Sequence, residues 1–246
     1  MQGVITARTS TYIELDLAQV QRLVEAFKIY YPNTARPKPR GSWQRATEDD
    51  APVHIWYDRM TREAVVPGSN SWSDWCLNFD IRLNAKGWHS GFHRAAHEIS
   101  PRMSACCQAG IRTFYAHSLG AAVCTRIAGT TWSQEYANDL VFLCVATPYV
   151  CSEARAKIIG DEMRRGERPL AIHILADDDL VTRVPPWMHR PGISIRLPSA
   201  LGAFDHSIER YDERMWDAIR QKFGPIADRS LPPKVQLPLT EYEIHL

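Results

Sequence analysis

Three kinds of feature are missing from this 246-residue chain, and each absence excludes a class of function. Charge of one sign is missing: 29 Lys and Arg stand against 28 Asp and Glu, a formal net charge of +1. No broad field therefore exists to draw in a polyanion, and a nucleic-acid partner is not expected. Long hydrophobic runs are missing too. The longest, Leu140 to Ala146, falls far short of the roughly 18 residues that span a bilayer. The first residues carry no basic stretch followed by an apolar one, so no secretion signal is read and a cytoplasmic location is expected. Cysteine in metal-binding order is the third absence. Cys76, Cys106, Cys107, Cys124, Cys144 and Cys151 form no C-x-x-C pair and share no zinc spacing with histidine. They are read as buried thiols, and no metal or organic cofactor is expected.

What is present has ordinary globular proportions, with 45% hydrophobic and 23% charged residues. The length suits one large domain over 1–246, with residues 1–50 as an N-terminal helix and connection and 225–246 as an extended tail. Residues 12–30 place Leu15, Leu17, Val20, Leu23, Val24 and Phe27 at helical spacing, which predicts an amphipathic helix stopped by Pro32. The following stretch to Pro52 holds Pro37, Pro39 and an Asp pair and reads as irregular. Short apolar segments then recur at Val53–Tyr57, Glu63–Val66, Arg112–Tyr115, Leu140–Val145 and Leu170–Leu175. Helical patterns lie among them at Gly91–Gly110, Leu119–Ala128, Ser152–Gly166 and Ile208–Phe223. Buried strands alternating with helices predict an α/β fold with a mostly parallel central sheet flanked by helices.

The sharpest local feature is Ala116-His117-Ser118-Leu119-Gly120, between a strand-like segment and a helix of small residues. That context suits a nucleophile elbow of the G-x-S-x-G type. The serine sits on a tight strand-to-helix turn, so its neighbours must be small. Gly120 meets that need, and Ala116 adds one methyl group. The turn also aims Ser118 at a helix N-terminus, where the Leu119 N–H is available to an oxyanion. Partners follow in the chain order Ser, Asp, His. Asp177, Asp178 and Asp179 end the apolar run IHILA, and His206 precedes the last amphipathic pattern.

Together these segments resemble the class 3 lipases, the fungal-type triacylglycerol lipases of the α/β-hydrolase superfamily. Val65-Val66-Pro67-Gly68-Ser69-Asn70-Ser71, with Asp74-Trp75 and Asn78, is similar to the family's R-G-[TS]-x-S…D-W…N oxyanion segment. His89-Ser90-Gly91-Phe92 matches its H-x-G-F element, read as a loop with Gly91 breaking the helix. Phe142 to Pro148 resembles F-G-[ST]-P, and Asp179 to Pro186 resembles D-x-V-x-x-x-P-P. The resemblance runs from about residue 63 to 211. It departs from the family pattern at Pro67 and Ala116.

The resemblance implies an α/β-hydrolase fold, a triad of Ser118, Asp179 and His206, and an oxyanion hole from Ser69 and Leu119. The spacing to Val181 and Pro185 favours Asp179 over Asp178. Trp72 occupies the position of the family's lid helix and is a candidate for substrate contact. The activity implied is hydrolysis of carboxylic esters, with a lipid or small acyl ester as substrate and transient contact with a lipid surface. A phospholipase A1, a short-chain esterase and a catalytically silent binding or assembly module are the alternatives. His89, His93 and His97, four residues apart, are the other cluster with ligand chemistry; they read as a polar helix face rather than a metal site.

Overall fold

In a computed structural model of the chain, buried apolar segments line up as neighbouring strands. The structure describes residues 41–68, 80–197, 206–207, 210–211, 213, 217 and 25, and the backbone of 5–8, 12–16, 234–238 and 243–245. The strands in chain order are β1 (Ile5–Arg8), β2 (Tyr12–Asp16), β3 (Gln44–Arg45), β4 (Trp56–Asp58), β5 (Glu63–Val66), β6 (Thr113–His117), β7 (Val141–Val145), β8 (Leu170–Ala176), β9 (Ile193–Leu197), β10 (Lys234–Pro238) and β11 (Glu243–His245). The longer helices are α1 (Ser90–Gln108), α2 (Leu119–Ala128) and α3 (Glu153–Arg164).

An eight-stranded sheet runs in the order β11-β9-β8-β7-β6-β5-β4-β3. From β11 through β5 every neighbouring pair is parallel, and β4 and β3 extend the other edge antiparallel. The sequence explains the parallel centre. Each residue of β5, β6, β7 and β8 is buried, as expected of strands covered by helices on the sheet's faces. The residues of α2, LGAAVCTRIA, are likewise all buried, so small side chains let it lie between the sheet and α1.

The expected α/β architecture with a mostly parallel sheet is thus present. Residues 12–16, placed at the start of an amphipathic helix by spacing, instead form β2, which pairs antiparallel with β1 and β10. Alternation in Tyr-Ile-Glu-Leu-Asp prevails there over the 3.6-residue period of the apolar positions that follow. Two stretches of the tail are strands. Lys234–Pro238 pairs with β2, and Glu243–His245 adds a parallel edge strand to β9. The His89–Phe92 element is the start of α1, with Gly91 inside the helix and the His89 side chain accepting from Phe92 N at 3.3 Å as its cap. Among the described residues no helix is long and apolar enough to cross a membrane.

Candidate active site

The carboxyl ends of parallel strands are where open α/β sheets place ligands, and here Ser118 follows directly on the carboxyl end of β6. The serine has φ +53° and ψ −119°, a left-handed backbone conformation unusual for a residue with a side chain. Holding it costs about 1–3 kcal/mol, which the surroundings must offset. Ser118 N donates to Val145 O at the end of β7, and Ser118 O accepts from Ala122 N in α2, both at 3.0 Å. The loop after β5 presses on this turn. A Cβ on Gly120 would lie 2.2 Å from Val66 O, and one on Gly68 would lie 2.9 Å from Ser118 Cβ. Both positions therefore need glycine. Ala116 needs no such exemption, since it pairs within the sheet between Val66 and Cys144.

The acid arises from the next strand but one. Asp177, Asp178 and Asp179 follow β8, and their surroundings differ sharply. Asp177 faces Arg196 at 3.4 Å and is half-buried, as is Asp178, whereas Asp179 is 0% exposed. Asp179 Oδ1 accepts from Val181 N at 2.9 Å, capping the short helical turn Leu180–Arg183. Its Oδ2 lies 2.8 Å from His206 Nδ1, and His206 Nε2 lies 2.8 Å from Ser118 Oγ. An ionised carboxylate only accepts, so Nδ1 carries the proton and Nε2 is left to accept from the serine hydroxyl. Ser118, His206 and Asp179 are thereby brought into one hydrogen-bonded line. The Leu119 N–H lies in the first turn of α2, among donors with no intrahelical partner. Ser69 and Trp72 lie outside the described residues.

Two further side chains belong to this line and were not singled out as site residues from the sequence. Tyr211 OH donates to Asp179 Oδ2 at 2.7 Å and accepts from Ala176 N at 3.0 Å. Burial first, and then the Asp179 charge, push its phenol well above the ordinary tyrosine value, so it stays a neutral donor. His117, beside the serine, donates from Nε2 to the His206 carbonyl at 3.0 Å, and the two rings are 4.9 Å apart. Burial holds His117 well below the ordinary histidine value. It is a neutral strut under the His206 loop. The position of His117 at a strand end was a visible signal. Tyr211, five residues past His206 in a helical pattern, gave none beyond its residue type.

The other candidates separate from the site. His89 is used in capping α1, and His93 Nδ1 accepts from Arg126 Nε at 3.0 Å. Among the described residues no group of three His, Cys, Asp or Glu is arranged to hold a metal. Cys106, Cys107, Cys124, Cys144 and Cys151 are buried free thiols, and burial raises the pKa of each.

No protein-family model matches the chain, and no curated protein matches it. Solved structures do. A lipase from Rhizopus microsporus var. chinensis is similar with a TM-score of 0.57 at 17% identity, over 78% of this chain and 79% of that one. Lipase II from Rhizopus niveus gives 0.56 at 14% identity, over 77% and 84%. Lip2 lipase from Yarrowia lipolytica gives 0.52 at 15% identity, over 72% and 76%. At such identities the likeness speaks for architecture alone. With its mostly parallel sheet flanked by helices, the chain has the α/β-hydrolase fold of these lipases.

Proposed function

We propose that the protein is a serine carboxylic-ester hydrolase of lipase type, with Ser118 as nucleophile, His206 as general base and acid, and Asp179 as the orienting acid. The unbroken line of 2.8 Å contacts from Ser118 Oγ through His206 to Asp179 Oδ2 carries this reading. Ser118 Oγ attacks the ester carbonyl as His206 Nε2 takes its proton. Asp179, holding Nδ1–H, fixes the tautomer and stabilises the imidazolium that forms. The tetrahedral oxyanion meets the Leu119 N–H, with the Ser69 N–H as the second donor. Each such donor is worth about 3–4 kcal/mol in the transition state. Collapse expels the alcohol, protonated by His206, and water resolves the acyl-enzyme with His206 as base again.

Acyl esters of lipids are the proposed substrates. Leu180 and Trp187, 63% and 57% exposed, follow Asp179 in the chain and offer apolar surface for transient contact with a lipid aggregate. Hydrolysis of a chain-length series of p-nitrophenyl esters, with and without micelles, tests the reading. Turnover by the native chain that Ser118→Ala abolishes supports it. Equal turnover by both proteins removes it.

A further inference from the structure

Away from Ser118, His206 and Asp179, a cavity of about 360 Å³ opens between α3 and β9, and none of those three residues lines it. Its wall is cationic. Lys157 enters from α3, His189 and Arg190 from the segment before β9, and Arg196 stands with Ser194 on one face of β9. Tyr149, after β7, closes the side, and Glu153 is the acid on the rim.

Arg190 is only partly satisfied at its guanidinium. Its Nη2 donates to the Thr182 carbonyl, and its guanidinium lies 4.5 Å over the Tyr149 ring. Its Nε and Nη1 are shielded from solvent and have no hydrogen-bond partner among the described residues, and the same holds for His189 Nδ1. Burial, with Arg196 nearby, pulls the Arg190 guanidinium down to about 10, so it remains charged at neutral pH. Guanidinium N–H groups shielded from solvent and without partners are unfavourable, and an anion seated in the adjoining cavity would offset that. Cations from three separate segments enclose that space, and one of them, Arg196, also meets Asp177 at 3.4 Å. Such an arrangement suits a tetrahedral oxyanion, with oxygens pointing several ways, better than a flat carboxylate.

We propose that this cavity binds a phosphate monoester, its phosphoryl group held by Arg190, Arg196 and Lys157, with its organic part against Tyr149 and Ala156. The cavity holds on the order of ten water volumes, well beyond a bare phosphate. The phosphoryl group belongs to a soluble ester or to a lipid headgroup.

The test is calorimetric titration of the full chain with inorganic phosphate, glycerol 3-phosphate and acetate, read without turnover. Lys157→Gln and Arg190→Gln are compared after circular dichroism melts establish folding. Lys157 is exposed, so its variant stays informative if Arg190→Gln fails to fold. Both phosphates are expected to bind, acetate is not, and each variant weakens binding about tenfold or more. Co-sedimentation with phosphatidic acid vesicles that is lost in Lys157→Gln assigns the headgroup source; binding of glycerol 3-phosphate without co-sedimentation assigns a soluble ester. No heat with either phosphate, equal heat with acetate, or unchanged affinity in every folded variant overturns the proposal.

Discussion

Tyr211 and His206 meet the same oxygen of Asp179: the phenol donates to Oδ2 at 2.7 Å while His206 Nδ1 lies 2.8 Å from it. Asp179 is a fully buried carboxylate with donors on both oxygens, and Tyr211 ties it to the end of β8 through Ala176 N. The tyrosine thus fixes where the acid stands without facing the serine.

Tyr211→Phe separates that positioning from simple packing. The ring volume is kept, but a donor to the carboxylate is lost and Ala176 N–H is left without its partner. Stability should fall by about 1–3 kcal/mol in denaturant titration. The kcat for ester hydrolysis should fall about tenfold, the rate equivalent of one hydrogen bond, with KM unchanged. An unchanged kcat alongside the stability loss would reduce Tyr211 to a packing residue.

Asp179→Asn should lower kcat by about 10³–10⁴-fold, because the amide no longer holds the imidazole tautomer. Asp178→Asn should stay within a few-fold of native. Steady-state kinetics on the two variants decide the acid, and the reverse ranking would reassign it.

At Ser118 the backbone itself makes a prediction. Glycine is ordinarily less stabilising than alanine, but at φ +53° a Cβ costs about 1–2 kcal/mol. Ser118→Gly should therefore melt above Ser118→Ala, by about 2–4 °C for a chain of this size. The opposite order would mean that the turn relaxes when the hydroxyl is removed.

Acid should destabilise the fold before its carboxylates titrate. Burial pushes His89 down to about 4 and His173 to about 3, and holds His117 well below the usual value. In the unfolded chain each takes a proton near pH 6.5. Below that pH the unfolded state binds more protons than the native one. Stability therefore falls as pH drops, by about 1.4 kcal/mol per pH unit for each histidine, until the low folded values are reached. Urea titrations between pH 6.5 and 5 should show this slope. His173→Gln should reduce it by the share of one histidine, about 1.4 kcal/mol per pH unit at most. A flat profile would mean that these rings are charged in the folded protein.

Much of this arrangement was legible in the sequence where the signal is local. Segments at β5, β7 and β8 are short, apolar and buried on both faces, so composition alone marked them. The helix α2 was marked by its run of small residues after Ser118. The edges were not legible. Besides the nearby β1, Tyr12–Asp16 takes a second strand partner from Lys234–Pro238, over two hundred residues along the chain, and no local period records that pairing. The short strand Ile193–Leu197 was missed, and its pairing with Glu243–His245 was hidden in the same way. Within the site, three consecutive acids look alike in sequence. Their difference is tertiary: Asp179 turns inward to His206 and Tyr211, while Asp177 faces Arg196.

The most direct test of the account is labelling by a fluorophosphonate probe, comparing the native chain with Ser118→Ala after circular dichroism has shown both to be folded, in buffer and with detergent micelles. A covalent adduct is expected on the native protein and none on the variant, since only a serine with an engaged base reacts at a useful rate. A folded native chain that stays unlabelled under both conditions, or a variant labelled as strongly as the native protein, would contradict the assignment of Ser118 as an activated nucleophile.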